Sequence, residues 1–277
     1  MAISDSRSLR LATTSSVQES GLLGALCEDY LALRGRVVEV QAVGTGQALR
    51  MGRRGEVDAV ITHNAAYELQ FVEAGHGVNR REFMTNDFVL VGPQKDPAGA
   101  ARAPTVFDAL AAIFRGRAQF ISRGDDSGTN LREIDLWAAS AALPFGQPWY
   151  RAVPGGMVQC LAAASAQGAY TLVDMGTFLA QAEGLELRIL CADPRHLRNA
   201  YSVIAVNPAR HATVDYEEAM ALITYFTGAA GQRLIKEFRK GAHPLFYPLW
   251  DPQPAGERAG PASATESSQG GKLGRVR

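Results

Sequence analysis

Apolar positions in this chain come in short runs that alternate with amphipathic stretches. Residues 8–12, 37–43, 57–62, 88–91, 119–122, 169–173, 187–191 and 201–206 are aliphatic or β-branched at strand length, and they predict strands. Between them, residues 21–33, 48–54, 65–73, 107–114, 130–142, 160–167, 177–181, 214–227 and 231–238 predict helices. In the stretch 130–142, Leu131, Ile134 and Trp137 fall on one helical face. Gly75, Gly77, Gly92-Pro93, Gly168 and Asn207-Pro208 punctuate the series. Alternation of this kind predicts an α/β fold, with a largely parallel sheet and helices on both faces. Ligands of such sheets bind beyond the carboxyl ends of the strands.

Three of the predicted strand-to-helix junctions share a chemistry. After residues 8–12 come four consecutive hydroxyls, Thr13, Thr14, Ser15 and Ser16. After residues 37–43 come Gly44, Thr45, Gly46 and Gln47. After residues 119–122 come Arg123, Gly124, Asp125, Asp126, Ser127, Gly128 and Thr129. A helix N-terminus offers unpaired N–H groups and the positive end of the helix dipole. Ser127 and Thr129 add hydroxyls, and Arg123 adds a full charge on a planar fork of donors. The bland reading of the third junction is a helix capped by Ser127, with Arg123 paired to Asp125 or Asp126. One junction leaves the two readings level. Three of them in an α/β chain point to convergence on one small anion.

Bulk properties narrow the partners. The 277 residues can bury a large core, in one domain or two lobes. The 28 basic and 28 acidic residues cancel, and no long Lys/Arg run exists. A nucleic-acid partner is therefore not expected, and any anion selectivity must be local. No run approaches the ~20 apolar residues of a membrane span. The first ten residues show no signal-peptide core, which leaves a cytoplasmic location open. Cys27, Cys160 and Cys191 have no disulfide or zinc spacing and read as buried thiols. From residue 253 the composition turns to Gly, Ser, Pro and charge, which predicts a disordered tail over 253–277.

Several familiar motifs fail. Gly44-Thr45-Gly46 lacks the third glycine of a dinucleotide fingerprint, because Leu49 stands there. The five histidines are scattered, so neither a metal cluster nor a triad is legible; His63, at the end of a strand, is a candidate cleft residue. No nucleophile–base pair is legible, so no enzyme is expected and the catalytic set is empty.

Taken in order, the motifs Thr13–Leu22, Val43–Leu49, Gly75–Arg81, Asn86–Pro93, Gly168–Asp174 and Ile204–Pro208 resemble the tungstate-binding proteins of tungstate ABC importers. The resemblance runs from about Leu9 to Pro248. It implies a type II periplasmic-binding-protein fold: two α/β lobes joined by two crossing strands, with the ligand in the cleft. One lobe would hold residues 8–87 and 205–250, the other residues 88–204. The ligand-binding set it implies is Thr13, Thr14, Ser15, Ser16, Thr45, Gly46, Arg123, Ser127, Gly128 and Thr129. It further implies a monomer with a tungstate or molybdate ligand, no cofactor and no bound metal cation. The partners would be an ABC permease and its ATPase, and the location periplasmic. Two departures from the family's pattern stand out. Met175 replaces a usual arginine, and Val158 replaces a usual glycine. Phosphate or sulfate binding is the nearest alternative, and a cytoplasmic oxyanion-sensing regulator is the next. A tetrahedral dianion presents only acceptors, so the cavity is expected to hold donors only, with phosphate the weakest ligand.

Overall fold

The computed structural model describes residues 8–153, 155–240 and 243–251; the tail expected over 253–277 lies outside them. The chain opens with β1 (Leu9–Thr14), α1 (Ser15–Ser20) and α2 (Leu22–Arg34). The sequence predicts one helix here, beginning near residue 21. The hydroxyl run instead starts a short helix of its own, and Gly21, at a left-handed φ of 84°, separates the two. Next come β2 (Val38–Val43), α3 (Thr45–Arg54), β3 (Ala59–Thr62), α4 (Ala65–Glu73) and the 17-residue β4 (Gly77–Pro93). Then follow α5 (Val106–Gly116), β5 (Phe120–Ser122), α6 (Gly128–Ala139), β6 (Tyr150–Ala152), α7 (Met157–Gln167) and β7 (Thr171–Asp174). The chain closes with α8 (Met175–Gln181), β8 (Leu187–Cys191), β9 (Arg198–Val206), α9 (Tyr216–Thr227) and α10 (Ala229–Glu237). Last are the short strands β10 (Arg239–Lys240), β11 (His243–Pro244) and β12 (Tyr247–Pro248).

Two α/β lobes share β4. Its first part, Gly77 to Asp87, pairs with β9 and β12 in a sheet ordered β12-β4-β9-β3-β1-β2. Its second part, from Phe88, pairs with β7 and β8. The switch falls between Asp87, opposite Arg198, and Phe88, opposite Asp174. β5 and β6 extend the second sheet through a bridge from Phe120 to Tyr170. The expected parallel pairing holds for β2-β1-β3 in the first lobe and for β5-β6 with the Phe120–Tyr170 bridge in the second. β9 runs antiparallel to both β3 and β4. A chain that leaves one lobe for the other and returns must run back against itself. Apolar periodicity carries no information on that direction.

The cores divide along the same line. Leu9, Leu11, Leu26, Phe83, Tyr201 and Phe226 pack into one cluster of the first lobe. Phe88 and Leu90 join Phe120, Trp137 and Tyr170 in the second, while Val89 and Val91 join Ile121, Leu161 and Val173 on its opposite face. The switch of partners at each step along β4 is the period of two of a strand buried on both faces. The two crossing strands are tied by polar groups. Asn199 Nδ2 donates to Asn86 Oδ1 at 2.7 Å and to the Tyr201 hydroxyl at 3.0 Å, and Asn86, Asn199 and Tyr201 are all buried. Among the described residues, no helix is long and apolar enough to cross a membrane. The cysteines are free.

Candidate functional site

A cavity of about 130 Å³ lies where the two lobes meet. The first lobe supplies Thr14, Val43, Gly44, Thr45 and His63. The second supplies Arg123, Asp125, Ser127, Gly128 and Thr129. The local cause is repeated. β1 ends at Thr14, the N-cap of α1, and β2 ends just before Gly44, the N-cap of α3. Ser127 is the N-cap of α6, and β3 ends one residue before His63. Strand carboxyl ends and helix amino ends therefore face one small space. Its volume is well below the ~300–1,000 Å³ of a drug-sized ligand site.

The polar inventory favours an anion. Neither α1 nor α3 is capped by a side chain, so their first N–H groups keep the unmet donors of a helix start. Thr45 is 0% exposed and its Oγ1 has no hydrogen-bond partner among the described residues. Arg123 Nε and Nη2 donate to Asp125 Oδ2, at 3.1 and 2.6 Å, which aims the guanidinium and leaves Nη1 for another acceptor. The Ser127 N–H holds the other carboxylate oxygen at 3.1 Å. Burial pushes the Asp125 carboxyl up. Hydrogen bonds from Ser127 and Arg123 outweigh that and hold it below its usual range. Both features of the bland reading are present: Ser127 Oγ accepts from the Asn130 N–H at 3.3 Å, and Arg123 pairs with Asp125. They build the cavity wall rather than competing with it.

His63 comes from the first lobe and meets Gly128 on the second. A Cβ on Gly128 would stand 2.1 Å from His63 Cε1 and 2.3 Å from Nε2, so the contact admits only glycine. The ring stacks on Tyr201 with centroids 4.8 Å apart, and Nδ1 lies 2.9 Å from Asn199 Oδ1.

Of the expected residues, the structure brings together Thr14, Thr45, Arg123, Ser127, Gly128 and Thr129. Thr13 and Gly46 do not line the cavity. Thr13 is buried with Oγ1 unpartnered, on the strand face opposite to Thr14. The side chains of Ser15 and Ser16 lie outside the described residues. His63, Val43, Gly44 and Asp125 complete the lining beyond that set; the strand-end position of His63 was the signal for it. Met175 packs against the core of the second lobe. Val158 borders a separate space of about 170 Å³ around Asn86, Asp174, Thr177 and Tyr201. Neither departure removes a group from the first cavity. The larger space holds a buried carboxylate, Asp174, and no Lys or Arg among its lining residues, which suits an anion poorly.

A sequence model of the PBP superfamily domain matches residues 3–230. The tungstate-binding protein TupA of Peptoclostridium acidaminophilum is 40% identical over 245 residues, which is 87% of this chain and 85% of that protein. The chain belongs to the TupA family of the PBP superfamily. The solved tungstate-binding protein TupA of Desulfovibrio alaskensis G20 superposes with a TM-score of 0.79 at 37% identity, covering 89% of this chain and 100% of that one. The crystal structure of the tungstate ABC transporter from Geobacter sulfurreducens gives 0.73 at 43% identity, over 84% and 99%. This chain and the solved TupA structure thus share one overall fold.

Proposed function

We propose that this chain binds tungstate, with molybdate as the next ligand, and delivers it to an ABC import permease and its ATPase. The observation that carries this reading is the buried, unpartnered Thr45 hydroxyl beside Arg123 in a cavity walled by three helix starts. A dianion there gains donors on every side, and a single guanidinium supplies the formal charge. The names of the TupA relatives support the identity of the ion. The same reading takes residues 8–87 with 205–250 as one lobe and residues 88–204 as the other; the division of the cores supports the first boundary and moves the second back to about Arg198, because Tyr201 and Val203 pack in the first lobe. Thr14, Thr45, Arg123, Ser127, Gly128 and Thr129 are its ligand residues, with the Ser15 and Ser16 hydroxyls as further proposed donors, while Thr13 and Gly46 stand outside the cavity lining. The protein acts as a monomer outside the cytoplasm, without cofactor and without catalysis, as a binding component of a transporter does. Calorimetry with tungstate, molybdate, sulfate and phosphate tests the assignment. Tungstate should bind most tightly; an equal or tighter grip on phosphate would replace tungstate with phosphate as the ligand.

A further inference from the structure

Besides Asp125, whose oxygens are held by Arg123 and the Ser127 N–H, the expected donor-only cavity contains a second group of the opposite kind. Asn199 Nδ2 is committed to Asn86 Oδ1 and to the Tyr201 hydroxyl, so its Oδ1 is the atom turned to His63. An oxygen there requires the hydrogen on His63 Nδ1. The neutral ring then has no hydrogen on Nε2. That nitrogen lies on the ring edge facing Gly128, at the cavity. A bare lone pair would meet an anion made only of acceptors, and the two repel. Burial, with Arg123's positive charge adding to it, pushes the empty protein's ring down to about 4. At neutral pH it starts uncharged.

We infer that His63 is a further oxyanion ligand and that a fully deprotonated anion binds together with a proton taken up on His63 Nε2. The inference rests on the oxyanion reading above and deepens it. The proton turns Nε2 from acceptor to donor, and it brings a second positive charge against the two negative charges of the ligand. The charged ring is held on its far side by Asn199 Oδ1 and stacked on Tyr201. The other charged groups around it are few. Arg123 and Asp125 share the cavity wall and are paired with each other. Asp174 feels the charge of Arg123 and accepts both hydrogen bonds from Thr177. Behind the ring, Glu68 of α4 is paired with Arg80. Burial pushes the Asp174 carboxyl up, but each of its oxygens already accepts from Thr177, so the proton is taken from solvent.

A ligand that carries its own proton behaves differently. Hydrogen phosphate can donate its P–OH to the bare Nε2, and it needs no uptake. Exclusion of phosphate therefore falls to size and not to a missing acceptor, which corrects the donor-only expectation.

The test is calorimetric titration of the full chain with tungstate in buffers of different ionisation enthalpy. The slope against that enthalpy counts the protons taken up. Near pH 6.5 about one proton per tungstate is expected. Affinity should climb as pH falls below the pKa that His63 adopts in the complex, approaching about tenfold per pH unit above the free value. His63→Gln, whose amide N–H donates at any pH, should bind with no uptake and a flat profile. Phosphate, to whatever extent it binds, should do so without uptake. Tungstate binding with no proton linkage in the wild-type chain overturns the inference and leaves the oxyanion reading standing. Linkage that persists in His63→Gln also overturns it, by assigning the proton elsewhere. Failure of every oxyanion to bind would instead remove the reading beneath it.

Discussion

Thr45 offers the sharpest test of the site, because one substitution should move stability and affinity in opposite directions. Its hydroxyl is 0% exposed and unpartnered in the empty protein. A buried hydroxyl without a partner costs about 1–3 kcal/mol relative to an apolar group of the same shape. Thr45→Val keeps the shape and removes that cost. The empty variant should therefore be more stable, and each kcal/mol should raise the melting temperature by roughly 2–4 °C. With the anion present the sign reverses. A hydrogen bond to a charged oxygen contributes about 1.5–3 kcal/mol, so the variant should lose roughly 10- to 150-fold in affinity. Thermal melts without ligand and calorimetry with tungstate read the two halves separately. A variant that melts lower when empty, or binds tungstate as tightly as the wild type, refutes the placement of this hydroxyl as a waiting donor.

Other expectations follow from the same geometry. Arg123→Ala should cost several kcal/mol of binding, because a charge-assisted donor disappears and the Asp125 carboxylate is left in the wall without its partner. Arg123→Lys should also bind poorly in calorimetry, since an ammonium cannot serve Asp125 and the ligand with one planar fork. Gly128→Ala puts a methyl group against the His63 ring, so it should hold the lobes apart. Small-angle scattering should show a radius of gyration that tungstate no longer reduces, with affinity lowered at least tenfold as an order-of-magnitude expectation. Glu133, buried in the second lobe against the Tyr150 hydroxyl, has its carboxyl pushed up to about 7, chiefly by burial. Its contribution to stability is complete below its unfolded value near 4.5 and is lost as pH rises through about 7. Denaturant titrations should show the wild type weakening over that window and Glu133→Gln losing less.

How legible this was in the sequence varies with the kind of information involved. Junction chemistry was plain, because hydroxyls, glycines and a lone arginine at strand ends are local features. Thr14, Thr45 and Arg123 all line the one cavity. Thr13 shows its limit: two adjacent hydroxyls on a strand point to opposite faces, and the run does not say which one faces the ligand. The first half of β4 was missed because Asn79, Arg80, Arg81 and Glu82 interrupt any apolar alternation. Arg80 is in fact held by Glu68, which is 0% exposed. A strand whose polar side chains are satisfied by a neighbouring helix looks like a loop when read one residue at a time. The role of His63 depends on Asn199 and Gly128, which lie 136 and 65 positions away. Nothing near residue 63 announces either.

The path of the chain through the lobes also has a consequence for how the protein is made. The core of the first lobe joins Leu9 and Leu11 to Tyr201, Phe226 and Phe246, so its two halves are separated by the whole of the second lobe. The second lobe's clusters draw only on residues from Phe88 to Leu197. A chain emerging from the ribosome therefore completes the second lobe's contacts first. β1, β2 and β3 must wait, with apolar faces uncovered, until β9 arrives to pair with β3 and α9 to seal the core. Contacts of such long sequence separation form slowly, and waiting strand edges invite association. The interval between synthesis of Thr62 and of Phe226 is thus the period in which this fold is most exposed to aggregation, and the anion site cannot exist before it ends.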